Sequence, residues 1–192
     1  MAPTTAEDPK ARRRRLLQLT HDQAFREGEF KLASGKVSDC YFDGKQVTFD
    51  PEGATLFAEA ILDKIAAVDL DAIAGPESGA LSIVAAVIVE GRRRGKSIRG
   101  GYTRKEPKGH GLRAMVEGRV RAGDRVVVVE DTITTGGSTL KSIRALEAFG
   151  ARIVKVVCLV DREEGAAETL AGYEVDPVFT KAEVRAYAQG TP

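Results

Sequence analysis

Two adjacent acids, Glu130 and Asp131, separate four consecutive valines, residues 126–129, from a turn rich in threonine, serine and glycine. A turn of this kind, set before a helix, suits a phosphate. Gly136 and Gly137 let the backbone approach closely, and the first free N–H groups of the helix point at the anion. Thr134, Thr135, Ser138 and Thr139 can add hydroxyl donors. A carboxylate pair beside a phosphate is repulsive unless it serves some other group. The vicinal hydroxyls of a ribose fit that role, donating to the carboxylates while a 5′-phosphate lies in the turn. The competing account is that the acids merely leave a strand and cap the next turn.

A second stretch, residues 104–118, gathers Arg104, Lys105 and Lys108 with the imidazole of His110. Pro107, Gly109 and Gly111 interrupt any regular element, and hydrophobic residues return only at Met115 and Val116. A mobile surface loop is expected here. Beside a phosphate site such a loop is a lid that closes over a polyanion and excludes water.

These groups need a scaffold that brings them together. The valine run reads as a strand buried on both faces, as in a parallel sheet, because it is β-branched and too short for a buried helix. Leu140, Ile143, Leu146 and Phe149 recur every three residues and define one face of the helix that follows. Upstream, a polar tail to about residue 10 leads into a first helix reaching Phe25. The basic run at residues 12–15 is read as that helix's solvated face. Phe30 and Leu32, then Val37 and the Tyr41–Phe42 pair, flank Ser34–Gly35 as a hairpin. Residues 51–68 are predicted as a helix and 71–74 as a short strand. Gly75 and Gly79 bracket a turn whose free N–H groups could cradle pyrophosphate. The helix at 80–90 is almost wholly apolar and is expected to be buried. Strands are predicted at 97–103, 153–160 and 173–179, with a terminal helix at 181–188. Strands alternating with helices imply a parallel α/β sheet with ligands at its carboxyl edge.

The chain of 192 residues, 43% hydrophobic and 30% charged, suits one soluble domain with a sizeable core. A net charge of +1 gives no case for general nucleic-acid binding. Cys40 and Cys158 lack metal-type spacing, and no long apolar run marks a membrane span or signal, so a cytoplasmic location with reduced thiols is expected.

The stretch EDTITTGGST resembles the phosphoribosyl-pyrophosphate (PRPP) motif of type I phosphoribosyltransferases; it lacks the Gly-Lys-Ser/Thr of a Walker A loop. The segment GEFKLASGKVSDCYFDG resembles the hood of orotate phosphoribosyltransferases, and R-K-E-x-K-x-H-G resembles their catalytic loop. The sequence D-R-E-E-G at 161–165 is similar to the family's D-R-x-E-x-G motif, in which the arginine faces the orotate ring and carboxylate. The resemblance covers roughly residues 25–180. It implies a type I phosphoribosyltransferase fold: a central parallel sheet flanked by helices, with a small hood at about 26–48 inside a single domain spanning 11–192.

It further implies PRPP contacts from Arg104, Lys105, Lys108, His110, Glu130, Asp131, Thr132, Thr134, Thr135, Gly136, Gly137 and Ser138. Orotate contacts follow for Tyr41, Phe42, Thr134 and Arg162. Lys105, Lys108, His110 and Asp131 become the catalytic set, with Lys108 as proton donor or charge stabiliser. Mg²⁺ is expected on the pyrophosphate oxygens of PRPP, with no protein metal cage. A homodimer with shared sites is implied, without nucleic acid or membrane. Two departures stand out. Ala33 replaces a hood lysine, for which Lys31 or Lys36 would have to compensate, and the turn after Gly75 has no lysine. The remaining readings are a transferase for another nucleobase and a PRPP-sensing regulator on the same fold.

Overall fold

In the computed structural model, residues 8–31, 37–106 and 115–187 are described. A six-stranded sheet has the order β5-β4-β3-β6-β7-β8. Its strands are β3 (Ala72–Ala74), β4 (Arg99–Thr103), β5 (Val116–Gly118), β6 (Arg125–Ile133), β7 (Arg152–Asp161) and β8 (Phe179–Thr180). Neighbours pair in parallel except β5, which runs antiparallel to β4. A separate antiparallel pair, β1 (Phe25–Lys31) and β2 (Val37–Phe42), forms the hood. Its tip at Ser34–Gly35, together with Ala33 and Lys36, lies outside the described residues.

The valine run explains why β6 is central. Val126 through Val129 are all fully buried. Alternation sends Val127 and Val129 into the core shared with α3 (Pro51–Lys64) and α4 (Gly79–Arg93), and Val126 and Val128 into the core under α5 (Gly137–Ala148). Burial of each valine contributes about 1.5–3 kcal/mol, enough for these four residues to anchor the sheet. On α5, Ile143 and Leu146 are buried, while Leu140 and Phe149 pack at its margin.

The first helix, α1 (Pro9–Leu19), is capped by the Asp8 carboxylate and continues as a π-helical turn, Thr20–Ala24. Three arginines of its basic run, Arg12, Arg13 and Arg15, are paired. Arg12 reaches Glu59 (3.3 Å) and Asp63 (3.0 Å) on α3, and Arg15 binds Glu52 at 2.6 Å. Arg13 meets Glu183 (2.6 Å) on α7 (Lys181–Tyr187). These arginines tie the first helix to its neighbours.

Three elements depart from the sequence reading. Helix α3 stops at Lys64, because residues 65–67 turn. The strand expected over 173–179 shrinks to β8 and one isolated bridge, Val156 with Val175. Helix α4 is not buried all round. Leu81 and Val89 are 40% and 55% exposed, because only its inner stripe (Ala80, Ile83, Val84 and Val87) meets the sheet. Near this outer face, Ser82 Oγ donates to Thr48 Oγ1 (3.0 Å) at the end of α2 (Lys45–Thr48), and the next residue, Phe49, is 69% exposed. Among the described residues no helix is long and apolar enough to cross a membrane.

Candidate active site

The turns after β3, β6 and β7 meet at one edge of the sheet. Strand β6 carries Glu130 and Asp131 and ends at Ile133, leaving Thr134, Thr135 and Gly136 as the turn before α5. Gly136 has a φ of 79°, the left-handed conformation that glycine adopts without steric cost. No side chain caps α5, and none caps α4 behind Ser78. The first N–H groups of α5 are therefore available at this edge, whereas at α4 those of Ala80 and Leu81 already donate to the Pro76 and Ser78 carbonyls and the Gly79 N–H is the one without a partner among the described residues.

The acids are not equivalent. Glu130 is buried, with its Oε2 accepting from Ser138 Oγ and Thr139 Oγ1, both at 3.3 Å. Asp131 is half-buried and its Oδ1 accepts from the Thr132 N–H at 2.7 Å. Thr139 is fully buried, so its hydroxyl serves Glu130 and is removed from the phosphate donors expected from sequence. Burial pushes Glu130 up to about 8, with the charge of Asp131 adding to it. Burial also raises Asp131, while the Lys45 ammonium opposes that shift.

Glycines make room for the pair. A Cβ on Gly79 would lie 2.9 Å from Asp131 Oδ1 and 3.1 Å from Glu130 Oε1, so both carboxylates border the start of α4. A Cβ on Gly44 would stand 2.8 Å from that of Asp131 and 2.9 Å from Thr132 Oγ1. The hood thus closes on the acids from the other side. It brings Lys45, whose Nζ is 2.7 Å from Asp43 Oδ1 and whose ammonium is favoured first by Asp43 and also by Asp131. Sequence reading missed Lys45; its one signal was its place directly after Gly44, at the end of the hood.

The root of the cationic stretch lies at the same edge. The Lys105 N–H donates to Glu77 Oε1 (2.7 Å) in the turn after β3, and its carbonyl accepts from Lys141 Nζ (2.8 Å) on α5. The Arg104 guanidinium is 3.8 Å from Glu117 on β5 and donates through Nε to the Glu106 carbonyl. Lys108 and His110 lie outside the described residues.

On the hood, alternation along β2 turns Ser38, Cys40 and Phe42 inward and leaves Tyr41 out. Phe42 packs on Phe25 with centroids 4.9 Å apart, and Tyr41 stands 43% exposed, 5.6 Å from Phe30. Of the two rings expected to contact orotate, Tyr41 is exposed and Phe42 is buried. Arg162 is buried 6.0 Å over the Phe42 ring and bonds Ser38 and Glu164. The acid paired with it is Glu164. A cavity of about 630 Å³ lined by Val116, Glu117, Val120, Ala122 and Phe149 lies beside the end of α5, and none of the acids, hydroxyls or glycines of the turn after β6 lines it.

Residues 45–177 match the phosphoribosyl transferase domain family. An orotate phosphoribosyltransferase of Bradyrhizobium sp. strain BTAi1 is 44% identical over 165 residues, 84% of this chain and 89% of the relative. This chain belongs to the orotate phosphoribosyltransferases. The orotate phosphoribosyltransferase of Aeropyrum pernix superposes with a TM-score of 0.76 at 33% identity, covering 92% of this chain and 99% of the other. That of Mycobacterium tuberculosis, solved with PRPP, gives 0.76 at 28% identity, over 91% and 99%. A phosphoribosyltransferase fold with a mostly parallel sheet is thus shown, and the carboxyl edge of β6 lies within the residues that the family matches.

Proposed function

We propose that this chain transfers the 5-phosphoribosyl group of PRPP to orotate, forming orotidine 5′-monophosphate and pyrophosphate in pyrimidine synthesis. One observation carries the reading: two uncapped helix starts and two carboxylates converge at one sheet edge, with the Gly79 backbone between them. In this assignment the start of α5 and the hydroxyls of Thr134, Thr135 and Ser138 hold the 5′-phosphate. Asp131 accepts from the ribose hydroxyls, with Glu130 behind it. The start of α4 receives pyrophosphate. The reaction breaks the bond from the anomeric carbon to the pyrophosphate oxygen and forms one to N1 of orotate, through a ribose with cationic character, and the N1 proton leaves with the departing pyrophosphate. The Asp131 carboxylate, beside the buried Glu130, favours that growing positive charge. Lys105, Lys108 and His110 offset the charge on the leaving group, with Arg104 at the loop's base.

Mg²⁺ carried on the PRPP oxygens neutralises part of the leaving group's charge when bound. Among the described residues no group of three or more His, Cys, Asp or Glu is placed to hold a metal. The half-buried Asp131 carboxylate suits a hard cation that keeps most of its ligands from substrate and water. Orotate lies against Tyr41 and Thr134 near Arg162. Lys45 is placed beside Asp131 and stands in for the cation missing at Ala33. The enzyme works in the cytoplasm as a homodimer; the free, buried Cys40 and Cys158 and the exposed Phe49, Leu81 and Val89 support these two assignments.

The decisive experiment follows orotate absorbance with PRPP and Mg²⁺, running uracil, hypoxanthine and adenine in parallel. Consumption of orotate with little or none of the other bases is expected. Preference for another base would overturn the assignment.

A further inference from the structure

Arg162 is 4% exposed, and among the described residues it donates only through Nη2. That one nitrogen faces Ser38 Oγ at 3.0 Å, the Cys40 carbonyl at 3.5 Å and Glu164 Oε1 at 3.0 Å. Nε is buried and has no partner among the described residues. A buried guanidinium is normally saturated, since an unmet donor on a charged group costs more than one on a neutral group. Here the protein fills one corner of the fork and, among the described residues, leaves its other donors without a partner. The occupied corner is built from two separate parts of the fold, the hood strand β2 and the turn after β7. Glu164 is itself held, its Oε1 lying 3.4 Å from Lys181 Nζ at the start of α7. The turn that carries it is fixed by Asp161 Oδ1 accepting the Glu163 N–H (2.8 Å) and Glu163 Oε2 accepting the Ala182 N–H (3.1 Å).

We infer that Glu164 and Ser38 are positioning residues that clamp Nη2 of Arg162, orienting its unfilled donors toward the carboxylate of an acidic pyrimidine. Resting on the assignment of orotate as substrate, the inference adds how its carboxylate is selected. An arginine free to rotate would lose ordering entropy each time a carboxylate bound; one already fixed by a carboxylate and a hydroxyl presents its fork in place. Lys181 offsets the negative charge that Glu164 would otherwise set near the incoming carboxylate. Neither positioning side chain needs to touch the reacting atoms.

The test compares wild-type protein with Glu164→Gln, Glu164→Asp and Ser38→Ala in steady-state assays varying orotate and PRPP separately. Glu164→Gln is expected to raise the Michaelis constant for orotate about tenfold, the size of one lost charge-assisted bond. The constant for PRPP should stay within about twofold, and Glu164→Asp should recover part of the loss. Ser38→Ala should shift the orotate constant in the same direction. A lower orotate constant in Glu164→Gln would overturn the inference, making Glu164 a competitor for Arg162. Equal effects on both substrates would also overturn it, as a structural role. Wild-type protein that ignores orotate would instead sink the substrate assignment itself. Circular dichroism and a thermal melt establish that each variant is folded before its constants are compared.

Discussion

Glu130 illustrates how a single side chain can tie function to stability. Its proton is held up to about pH 8, against about 4.5 for an ordinary glutamate, because the site beneath the turn is dry and Asp131 is adjacent. The folded chain therefore binds more protons than the unfolded chain between those two values. The sign follows: this residue's contribution is most favourable below pH 4.5 and is lost as pH rises through 8. Urea denaturation at pH 5, 6.5 and 8 should show stability falling, by on the order of a few kcal/mol from this group. Glu130→Gln should flatten that fall, because an amide oxygen still accepts from Ser138 and Thr139 without ionising. An unchanged slope in the variant would assign the effect elsewhere. The identity of such residues was legible in sequence, since an acid pair at a strand end is an anomaly that demands a partner. Their inequality was not. That Glu130 faces two hydroxyls of α5 while Asp131 borders the crevice depends on where the helix lands. Arg162 is similar: its charge was readable, but its partners Ser38 and Glu164 come from segments that only the fold joins.

At the scale of elements, the turn between β3 and α4 uses two glycines for different purposes. A Cβ on Gly75 would sit 2.0 Å from the Val129 carbonyl oxygen, on the backbone of the central strand, and 2.6 Å from Ala80 Cβ. Neither neighbour can yield cheaply, so Gly75→Ala should destabilise the fold by about 1–3 kcal/mol or prevent soluble expression. A Cβ on Gly79 meets only side-chain carboxyl atoms within 3.1 Å, Asp131 Oδ1 and Cγ and Glu130 Oε1. Those can swing aside, so Gly79→Ala should fold with a thermal midpoint near wild type while displacing the acids. Its Michaelis constant for PRPP should rise about tenfold, the scale of one charge-assisted contact. A thermal melt paired with PRPP kinetics separates the two outcomes; a folded, fully active Gly79→Ala would remove the start of α4 from the site. Sequence reading placed both glycines at the strand-to-helix junction because the junction's pattern is local. The exposed stripe of α4 was hidden from it, since an all-apolar helix gives no sign of which face the sheet will cover.

The whole molecule raises the question of how many chains complete one site. The Asp131 carboxylate and the Lys105 root lie on this chain, and the resemblance to the family assigns the tip of the basic loop, Lys108 and His110, to a neighbouring subunit's site. On the outer surface, Leu81 and Val89 on α4, with Phe49 beside α2, are apolar and exposed, the kind of surface a second copy would cover. Sharing makes a quantitative demand. In a dimer pairing one Lys108→Ala chain with one Asp131→Asn chain, one site draws an intact acid from the first chain and an intact loop from the second. The other site carries both defects. Each variant alone should lose about two orders of magnitude in turnover, on the scale of groups that stabilise developing charge. Mixed as equal amounts, denatured and refolded together, half of the dimers are mixed and half of their sites are whole, so activity should return to about one quarter of wild type. If the loop served its own chain, mixing would restore nothing, because every site would then carry one defect or the other. Light scattering on the same samples reports whether dimers re-formed, so a failure to recover activity can be read as a loop acting within its own chain.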